Sequence, residues 1–327
     1  MTFPDLAETY HPGAKEDQED CVYMTADSWR EPISDEQQRL LASAKQIGWA
    51  AALKAEMADQ GMLNYVTDHK RVAVLDVIPL EVGQRVLEIG PGYGQMTEVL
   101  ARRAATVDAL EPDLGQARFV SIRCRQQGFR NVRVVAGGAD GLLPYASNSF
   151  DGVIMNLVLE WSAVRSTVPP PELQAMYLRD INRVLKPSGY LFLSTKNRYS
   201  LRLLTGGRDE HMANLRFGSA LPRSISRLLL GSRQARGYLH SYRALRSMLK
   251  RSRFDVLKAY WTVPNMRWPK SMVPLSNIDI NSFRSSNPDC IADSPRLSLL
   301  MKFLPSSFIK HLTPNLTFIA RNSREKE

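Results

Sequence analysis

The sequence predicts an α/β fold in which a mostly parallel sheet carries helices on both faces. Apolar, β-branched runs alternate with segments of helical periodicity along the middle of the chain. The first of these runs ends in a glycine-rich turn that leads directly into a helical pattern. The length of 327 residues and the hydrophobic content of 44% are enough for a large core. We predict strands at 85–89, 106–110, 132–136, 152–155 and 190–195, and helices at 95–103, 114–127 and 172–185.

The remaining elements extend this pattern on both sides. A predicted helix at 241–250 and strands at 254–262 and 315–320 complete the domain, which we bound at residues 81–327. Two insertions, at about 196–236 and 264–313, interrupt the pattern and would cover the ligand edge of the sheet. Residues 1–35 are polar and predict a loosely ordered arm. Residues 36–80 predict helices that form a lid, beginning with a helix over 35–58 that Ser34 or Asp35 caps.

The turn after the first strand is the most informative segment. Gly90, Gly92 and Gly94 stand at alternate positions in Val86-Leu-Glu-Ile-Gly-Pro-Gly-Tyr-Gly94. Glycine has no Cβ and adopts positive φ without strain, so a ligand can approach bare backbone at such a turn. We therefore expect a small molecule to lie across it.

The spacing of the glycines argues against a dinucleotide. The dinucleotide fingerprint places its third glycine where this chain has Gln95. Glu88 puts a carboxylate near the end of the first strand, where it would attract an ammonium group and repel a pyrophosphate. Glu111 closes the second predicted strand, and an acidic residue at that place accepts hydrogen bonds from two ribose hydroxyls.

These residues resemble class I methyltransferases that use S-adenosylmethionine. The acidic-x-Gly-x-Gly-x-Gly motif of that family matches Glu88 to Gly94, and Glu111 matches its acidic residue. Further matches follow in the expected order at 143–145, 149–156 and 185–194. The resemblance implies an S-adenosylmethionine-dependent enzyme with a Rossmann-like sheet of seven strands, mostly parallel, whose last strand is antiparallel.

The resemblance also implies a set of cofactor-binding residues. One departure concerns the adenine, because many relatives carry Gly-Asp-Ala where this chain has Gly138-Ala-Asp140. Either Asp140 or a backbone carbonyl would then contact the adenine amino group. The implied cofactor-binding residues are Glu88, Gly90, Gly92, Gly94, Glu111, Asp140 and Asn156.

Transfer of a methyl group to a hydroxyl benefits from a general base whose pKa is near neutral. His211 lies within the first insertion, and Glu160 lies just beyond the fourth strand. We predict both as catalytic residues, with a surface position as the alternative for each. The arginines Arg198, Arg202 and Arg208 would bind an anionic acceptor or be solvated.

Charge is distributed unevenly along the chain. Residues 197–327 hold 23 Lys or Arg and 8 Asp or Glu, whereas residues 1–196 hold 20 and 25. The basic part would attract phosphates on a sugar nucleotide or on an anionic membrane surface, or it would only keep the protein soluble. Its arginines lack interleaved aromatic residues, which makes a nucleic-acid partner unlikely.

The sequence also gives expectations for the cellular compartment of the protein and for metal binding. The chain shows no recognisable leader and no apolar run of 18 residues, so we expect a cytoplasmic protein. The three cysteines, Cys21, Cys124 and Cys290, have no metal-site spacing and predict neither a metal site nor a disulfide framework.

A weaker resemblance concerns the acceptor. The runs 196–200, 207–211 and 238–242 resemble bacterial methyltransferases associated with surface-polysaccharide and lipopolysaccharide assembly. This resemblance implies O-methylation of a sugar hydroxyl on a nucleotide- or lipid-linked precursor, with possible peripheral contact with the inner membrane surface. The apolar segment 297–312 would rest on that membrane or pack against the sheet. Two alternatives stay open, a C-methyltransferase of a quinone-like lipid and a non-catalytic protein that binds S-adenosylmethionine.

Overall fold

The computed structural model of the chain contains a central β-sheet with both parallel and antiparallel strands. The structure describes residues 3, 15–17, 22–25, 32–164, 166–287, 292 and 294–324. Cys21, Cys290 and most of the predicted arm therefore lie outside the described residues. Within the described part of the chain, ten strands form the main sheet, and two further short strands form a separate pair.

The strands agree closely with the predicted ones in the central part of the chain. Their bounds are Lys15–Asp17 (β1), Val22–Met24 (β2), Arg85–Ile89 (β3), Thr106–Glu111 (β4), Val132–Ala136 (β5), Phe150–Asn156 (β6), Leu185–Lys196 (β7), Arg208–Asp209 (β8), Leu215–Arg216 (β9), Phe254–Val263 (β10), Ser271–Pro274 (β11) and Asn315–Asn322 (β12).

The order of the central strands confirms the predicted fold class. Strands β5, β4, β3, β6 and β7 are parallel neighbours, and β12 pairs antiparallel with both β7 and β10. From β3 the chain first moves outward to β4 and β5 and then returns to place β6 on the other side of β3. This reversal of direction opens a crevice beyond the carboxyl ends of β3 and β6, where ligands bind in such sheets.

The sheet is wider than the seven strands that the sequence predicts. At one edge, β2 pairs in parallel with β5 and β1 pairs with β2. These strands belong to the segment predicted as a loosely ordered arm, and the prediction is wrong for them. The short run Val22–Met24 adds to the open edge of β5 through backbone hydrogen bonds, which need no long apolar pattern. At the other edge, β11 from the second insertion pairs with β10.

Twelve α-helices lie in the described part of the chain. Their bounds are Asp35–Ile47 (α1), Trp49–Glu56 (α2), Gln60–Thr67 (α3), Gln95–Arg103 (α4), Leu114–Gln126 (α5), Pro170–Val184 (α6), Leu201–Leu204 (α7), Arg223–Leu230 (α8), Tyr242–Arg251 (α9), Asn277–Ser286 (α10), Pro295–Phe303 (α11) and Ser306–Leu312 (α12).

The N-terminal helices differ in detail from the prediction. Ser34 caps α1 through a capping box with Gln37, which resolves the choice between Ser34 and Asp35. The predicted helix over 35–58 is broken because Gly48, at φ 90°, ends α1 before α2 begins. Residues His69–Val77 form a 3₁₀ helix within the segment where the sequence predicts helices.

Both faces of the sheet are covered, because successive residues of a strand point to opposite faces. On one face Leu87 and Ile89 of β3 belong to a core cluster with residues of α6 and α9. On the other face Val86 belongs to a cluster with Met96 and Leu100 of α4. Burial on both faces explains why β3 and β4 carry apolar residues at successive positions, interrupted only by Glu88 and Asp108 within the strands.

The apolar segment 297–312 divides between the core and the surface. Met301 of α11 and Ile309 of α12 are buried, whereas Phe303 and Phe308 are exposed. The segment thus packs against the rest of the domain along one side only. Among the described residues, no helix has both the length and the apolar character needed to span a bilayer.

Candidate active site

The glycine turn, residues 90–94, lies at the carboxyl end of β3. A Cβ on Gly90 would stand 2.4 Å from a methyl group of Val158, so protein atoms cover this position. A Cβ on Gly92 would meet no protein atom within 4 Å. Both glycines have positive φ, of 71° and 58°. The backbone at Gly92 is therefore open to a ligand, whereas the backbone at Gly90 is closed by the neighbouring loop.

Glu111 stands beside this open backbone. Its carboxylate accepts hydrogen bonds from the backbone N–H of Gly92 at 3.3 Å and of Asp113 at 3.2 Å. The side chain is 6% exposed, and burial raises its pKa to about 8. A carboxylate has about four acceptor positions, so Glu111 keeps capacity for ribose hydroxyls. Gly92 and Glu111 together fit an adenosyl group.

Glu88 has a structural role. It is buried in β3, where its carboxylate accepts a 2.6 Å hydrogen bond from the Thr97 hydroxyl of α4. Burial raises its pKa to about 7, partly opposed by this hydrogen bond. The contact ties the start of α4 to the strand and thereby holds the glycine turn. Direct contact between Glu88 and a cofactor stays a prediction.

Asp140 and Asn156 lie at the same edge of the sheet, after β5 and at the end of β6. Asp140 is exposed and accepts a hydrogen bond from the backbone N–H of Leu142 at 3.3 Å. The Asn156 side-chain carbonyl accepts a hydrogen bond from the Ser194 hydroxyl of β7. Gly94 is the last residue of the glycine turn and the N-cap of α4, at φ 81°. The cofactor contacts of these residues stay predictions.

A cavity of about 510 Å³, which we call the central cavity, opens beyond β6 and β7. Leu157, Glu160 and Trp161 form one of its walls, and Val158 from the same loop covers Gly90. One loop thus separates the glycine turn from the cavity and contacts both. The arrangement places a second binding space next to the expected cofactor position.

Glu160 is fully buried in the wall of the central cavity. One carboxylate oxygen, Oε2, accepts a 2.7 Å hydrogen bond from the Thr195 hydroxyl. The other, Oε1, has no hydrogen-bond partner within the described part of the chain. Buried polar atoms nearly always have a partner, so Oε1 is a candidate ligand contact.

His211 lines the same cavity, and its side chain is only 1% exposed. Its Nδ1 lies 3.0 Å from a carboxylate oxygen of Asp209, and its ring packs against Trp161 with centroids 4.4 Å apart. Among the described residues nothing pairs with Nε2. The carboxylate favours the tautomer with the proton on Nδ1, which leaves Nε2 as a proton acceptor.

Asp209 is well suited to hold this ring. Its other carboxylate oxygen accepts a 2.7 Å hydrogen bond from the backbone N–H of Ser219. Burial alone would raise the pKa of Asp209, but the hydrogen bonds from His211 and Ser219 outweigh it and keep the pKa below its ordinary value. Asp209 therefore stays ionised beside the imidazole.

The cationic groups of the central cavity differ from those predicted. Arg202 lines the cavity, whereas Arg198 uses its guanidinium to bind the carbonyls of Ser219 and Leu221. Arg208 is exposed on the two-residue strand β8 and does not line the cavity. Of the two alternatives left open for these arginines, Arg202 lies where it could bind an acceptor and Arg208 is exposed to solvent. Arg198 does neither, because its guanidinium holds the insertion together.

Sequence reasoning missed two basic residues of the cavity, Lys196 and Arg267. Burial lowers the pKa of Lys196 to about 8, and its ammonium pairs with Glu210. Glu210 lies 3.7 Å from the Arg267 guanidinium. The position of Lys196 at the end of β7 was a usable signal, since ligand groups gather at strand ends. Arg267 comes from the second insertion, and no local pattern marked it.

The N-terminal helices cover the other side of the glycine turn. Gln37 of α1 donates a 2.9 Å hydrogen bond to Asp113, which follows Glu111. A smaller cavity, of about 300 Å³, lies between these helices, Tyr93 and Asp113. Tyr65 of α3 reaches the central cavity instead. The N-terminal helices therefore border both cavities.

Comparisons with known proteins agree with this geometry. Residues 87–193 match the family model described as a methyltransferase domain. The chain is 36% identical over 123 residues to the biotin biosynthesis bifunctional protein BioHC of Cellvibrio japonicus, covering 37% of this chain and 22% of that protein. It is 30% identical over 169 residues to the malonyl-(acyl-carrier protein) O-methyltransferase of Halorhodospira halophila, covering 52% of this chain and 50% of that protein.

A quinone-related enzyme is similar as well. The chain is 29% identical over 131 residues to the demethylmenaquinone methyltransferase of Tropheryma whipplei, covering 40% of this chain and 49% of that protein. The chain thus spans half or less of the length of these curated relatives. The strand order and the matched residues lead to one conclusion: residues 87–193 carry a methyltransferase domain.

Proposed function

We propose that this protein is an O-methyltransferase whose acceptor hydroxyl binds in the central cavity. The observation that carries the proposal is the pair of buried, unpartnered polar atoms in the cavity wall, Nε2 of His211 and Oε1 of Glu160. A hydroxyl is both a donor and an acceptor, so it suits such a pair. Both atoms belong to residues that the sequence indicates as catalytic.

The cofactor site supports the same proposal. When bound, S-adenosylmethionine supplies a methyl group on a sulfonium, which a nucleophile displaces directly. The open backbone at Gly92 and the carboxylate of Glu111 would hold its adenosyl part. The loop that carries Val158 and Glu160 joins this site to the cavity, so the two ligands would be held side by side. Holding two reactants in line is itself a large source of rate acceleration.

Residues of the chain itself would accept the proton that the acceptor hydroxyl loses. Nε2 of His211 would accept the proton of the hydroxyl as the oxygen attacks. Asp209, bound to Nδ1, would stabilise the resulting imidazolium. Glu160 would accept a hydrogen bond and orient the hydroxyl, while Trp161 excludes water from one side of the ring.

The charged lining of the cavity favours a polar acceptor. Lys196, Arg202 and Arg267 line it together with three acidic residues, Glu160, Asp209 and Glu210. A sugar hydroxyl on a nucleotide- or lipid-linked precursor fits this description, because its phosphates would pair with these cations. The support for a glycan is the weaker sequence resemblance together with this charge.

A second candidate acceptor is a quinone-like lipid. The cavity has an apolar side formed by Met62, Leu157 and Met266, and one of the relatives named above is a demethylmenaquinone methyltransferase. A quinone nucleus has no anionic group for the three cations to bind. The charged lining therefore favours the polar acceptor.

The test is methyl transfer with the purified protein. Methyl-labelled S-adenosylmethionine is incubated with nucleotide-sugar, glycolipid and quinone fractions from a strain that lacks the protein, and labelled products are identified by mass spectrometry. We expect label on an oxygen of a polar, anionic product. Label on a ring carbon of a quinone would replace our proposal with the second candidate. Tight cofactor binding without transfer to any fraction would indicate a non-catalytic binding protein.

A further inference from the structure

Helix α8 of the first insertion exposes its apolar face to solvent. Ile225, Leu228 and Leu229 share one helix face, by their i, i+3 and i+4 spacing, and are 45%, 81% and 50% exposed. The opposite face carries the half-buried Arg223, the buried Ser226 and the exposed Arg227, with the buried Leu230 at the end of the helix. A surface helix of a globular protein normally turns its apolar stripe to the core. This reversal indicates that something outside the described chain covers the helix.

All the charged residues in the sequence around α8, leaving histidine aside, are basic. Residues 211–254 contain ten Arg or Lys and no Asp or Glu. Arg227, Arg233 and Arg236 are exposed within or directly after the helix. Any surface that covers this face must therefore be anionic as well as apolar.

The arginine side of α8 also borders a cavity. Arg223, Arg227 and Arg236 line a space of about 300 Å³ together with Tyr238 and the prolines that begin α6. The Arg223 guanidinium stacks on the Tyr238 ring at 3.7 Å, and within the described residues its buried Nε has no hydrogen-bond partner. Guanidinium groups in such a setting bind phosphate oxygens.

We propose that α8 docks the protein on an anionic lipid bilayer. An interfacial helix places its apolar face about 5–10 Å into the boundary between headgroups and acyl chains, while its basic side chains stay at the level of the phosphates. Ile225, Leu228 and Leu229 supply the apolar face, and the arginines on the reverse side reach the headgroups. An anionic bilayer presents both an apolar interior and a layer of negative charge, so it matches both properties of this surface.

This inference does not depend on the acceptor proposed above. The same insertion carries His211 and Asp209 on the wall of the central cavity, so docking through α8 would bring that cavity close to the membrane surface. The readout of the test is binding alone. Failure of methyl transfer and failure of docking are therefore separate results.

The test is co-sedimentation of the full chain with vesicles. One set contains phosphatidylcholine alone and the other contains phosphatidylcholine with phosphatidylglycerol. We expect binding to the anionic vesicles only, weakened by added salt. Each inserted leucine contributes tenfold or more, so we expect the double variant Leu228→Ser/Leu229→Ser to lower partitioning by about 100-fold. Both residues are exposed, and thermal unfolding verifies that the variant folds.

Matched controls separate docking from a general surface effect. Val82 is 95% exposed far from α8 in sequence, and Val82→Ser should bind vesicles like the parent protein. Arg227→Gln should lower partitioning by about fivefold, whereas Lys54→Gln on α2 should not. Equal binding to both vesicle types, binding to neither, or unchanged binding of the double leucine variant would overturn the proposal. Binding to an acidic carrier protein in the absence of vesicle binding would also overturn it.

Discussion

The two binding spaces of this protein are built in different ways. The expected cofactor side consists of strand ends and one turn from a continuous stretch of chain, with open backbone at Gly92 and the carboxylate of Glu111. The central cavity combines side chains from α3, the loop after β6, the end of β7 and both insertions. We therefore expect cofactor recognition to depend mainly on backbone shape, and the proposed chemistry to depend on side chains that only the tertiary fold brings together. Substitutions should therefore have different consequences on the two sides.

The largest effect is expected on the cavity side. His211→Gln removes the proposed base, and general-base catalysis contributes about 10²–10⁴-fold. We expect turnover to fall by that factor while the affinity for S-adenosylhomocysteine, measured by calorimetry, stays unchanged. The exposed His69 provides a control, because His69→Gln should retain full activity. Full activity of His211→Gln would remove His211 as the base.

Two neighbouring glycines should separate stability from binding on the cofactor side. Gly90→Ala combines left-handed backbone strain of about 1–2 kcal/mol with overpacking against Val158 of about 1–3 kcal/mol. Its free energy of unfolding in denaturant should fall by the sum of the two.

Gly92→Ala carries only the backbone strain, because no protein atom meets the new methyl group. That methyl group would instead occupy the space of the ligand and abolish cofactor binding. If Gly92→Ala bound the cofactor normally, this backbone would not be the binding surface.

Glu111 should contribute a smaller amount to affinity. Losing its charge-assisted hydrogen bonds in Glu111→Ala should weaken cofactor binding by about 1–3 kcal/mol. Its pKa is raised to about 8, and the ionised carboxylate is the better acceptor, so affinity should increase as the pH rises towards 8. Titrations of Glu111→Gln should show no such dependence. An equal pH dependence in this variant would assign the titration to another group.

The last prediction concerns the dependence of stability on pH. Burial raises the pKa of Glu88 and Asp108 to about 7 and that of Glu111 to about 8. The folded state therefore holds protons that the unfolded chain releases near pH 4 to 5, so these groups favour folding at low pH. The free energy of unfolding should fall as the pH rises from about 5 to about 8 and then level off. Denaturant titrations of Glu111→Gln should show a weaker decline than those of the parent protein.

The sequence predicts the cofactor side well because its signals are local. The bounds of β3 and α4 are those predicted, since β-branched runs, glycines and helical periodicity act over a few residues. The same stretch contains Glu111, whose spacing from Glu88 follows from the length of one helix and one strand. The position of Glu88 within the strand was also predicted, but its partner Thr97 was not.

The central cavity was predicted only in part. His211 and Glu160 stood out as rare titratable groups, and both lie in its wall. Arg267 and Tyr65 reach the cavity from distant parts of the chain, through contacts that no periodicity encodes. For Arg198 the sequence left ligand binding and solvation open, because it could not show that the guanidinium binds two carbonyls of its own insertion. The strand β2 was missed because edge pairing needs only three residues with free backbone groups.

The most direct test is a crystal structure of the protein with S-adenosylhomocysteine. We predict that the ribose hydroxyls lie within hydrogen-bond distance of the Glu111 carboxylate, with the backbone of Gly92 against the ligand. The sulfur should face the central cavity, where His211 and Glu160 lie. Density for the ligand at another site, or protein atoms over Gly92 in the complex, would contradict the account.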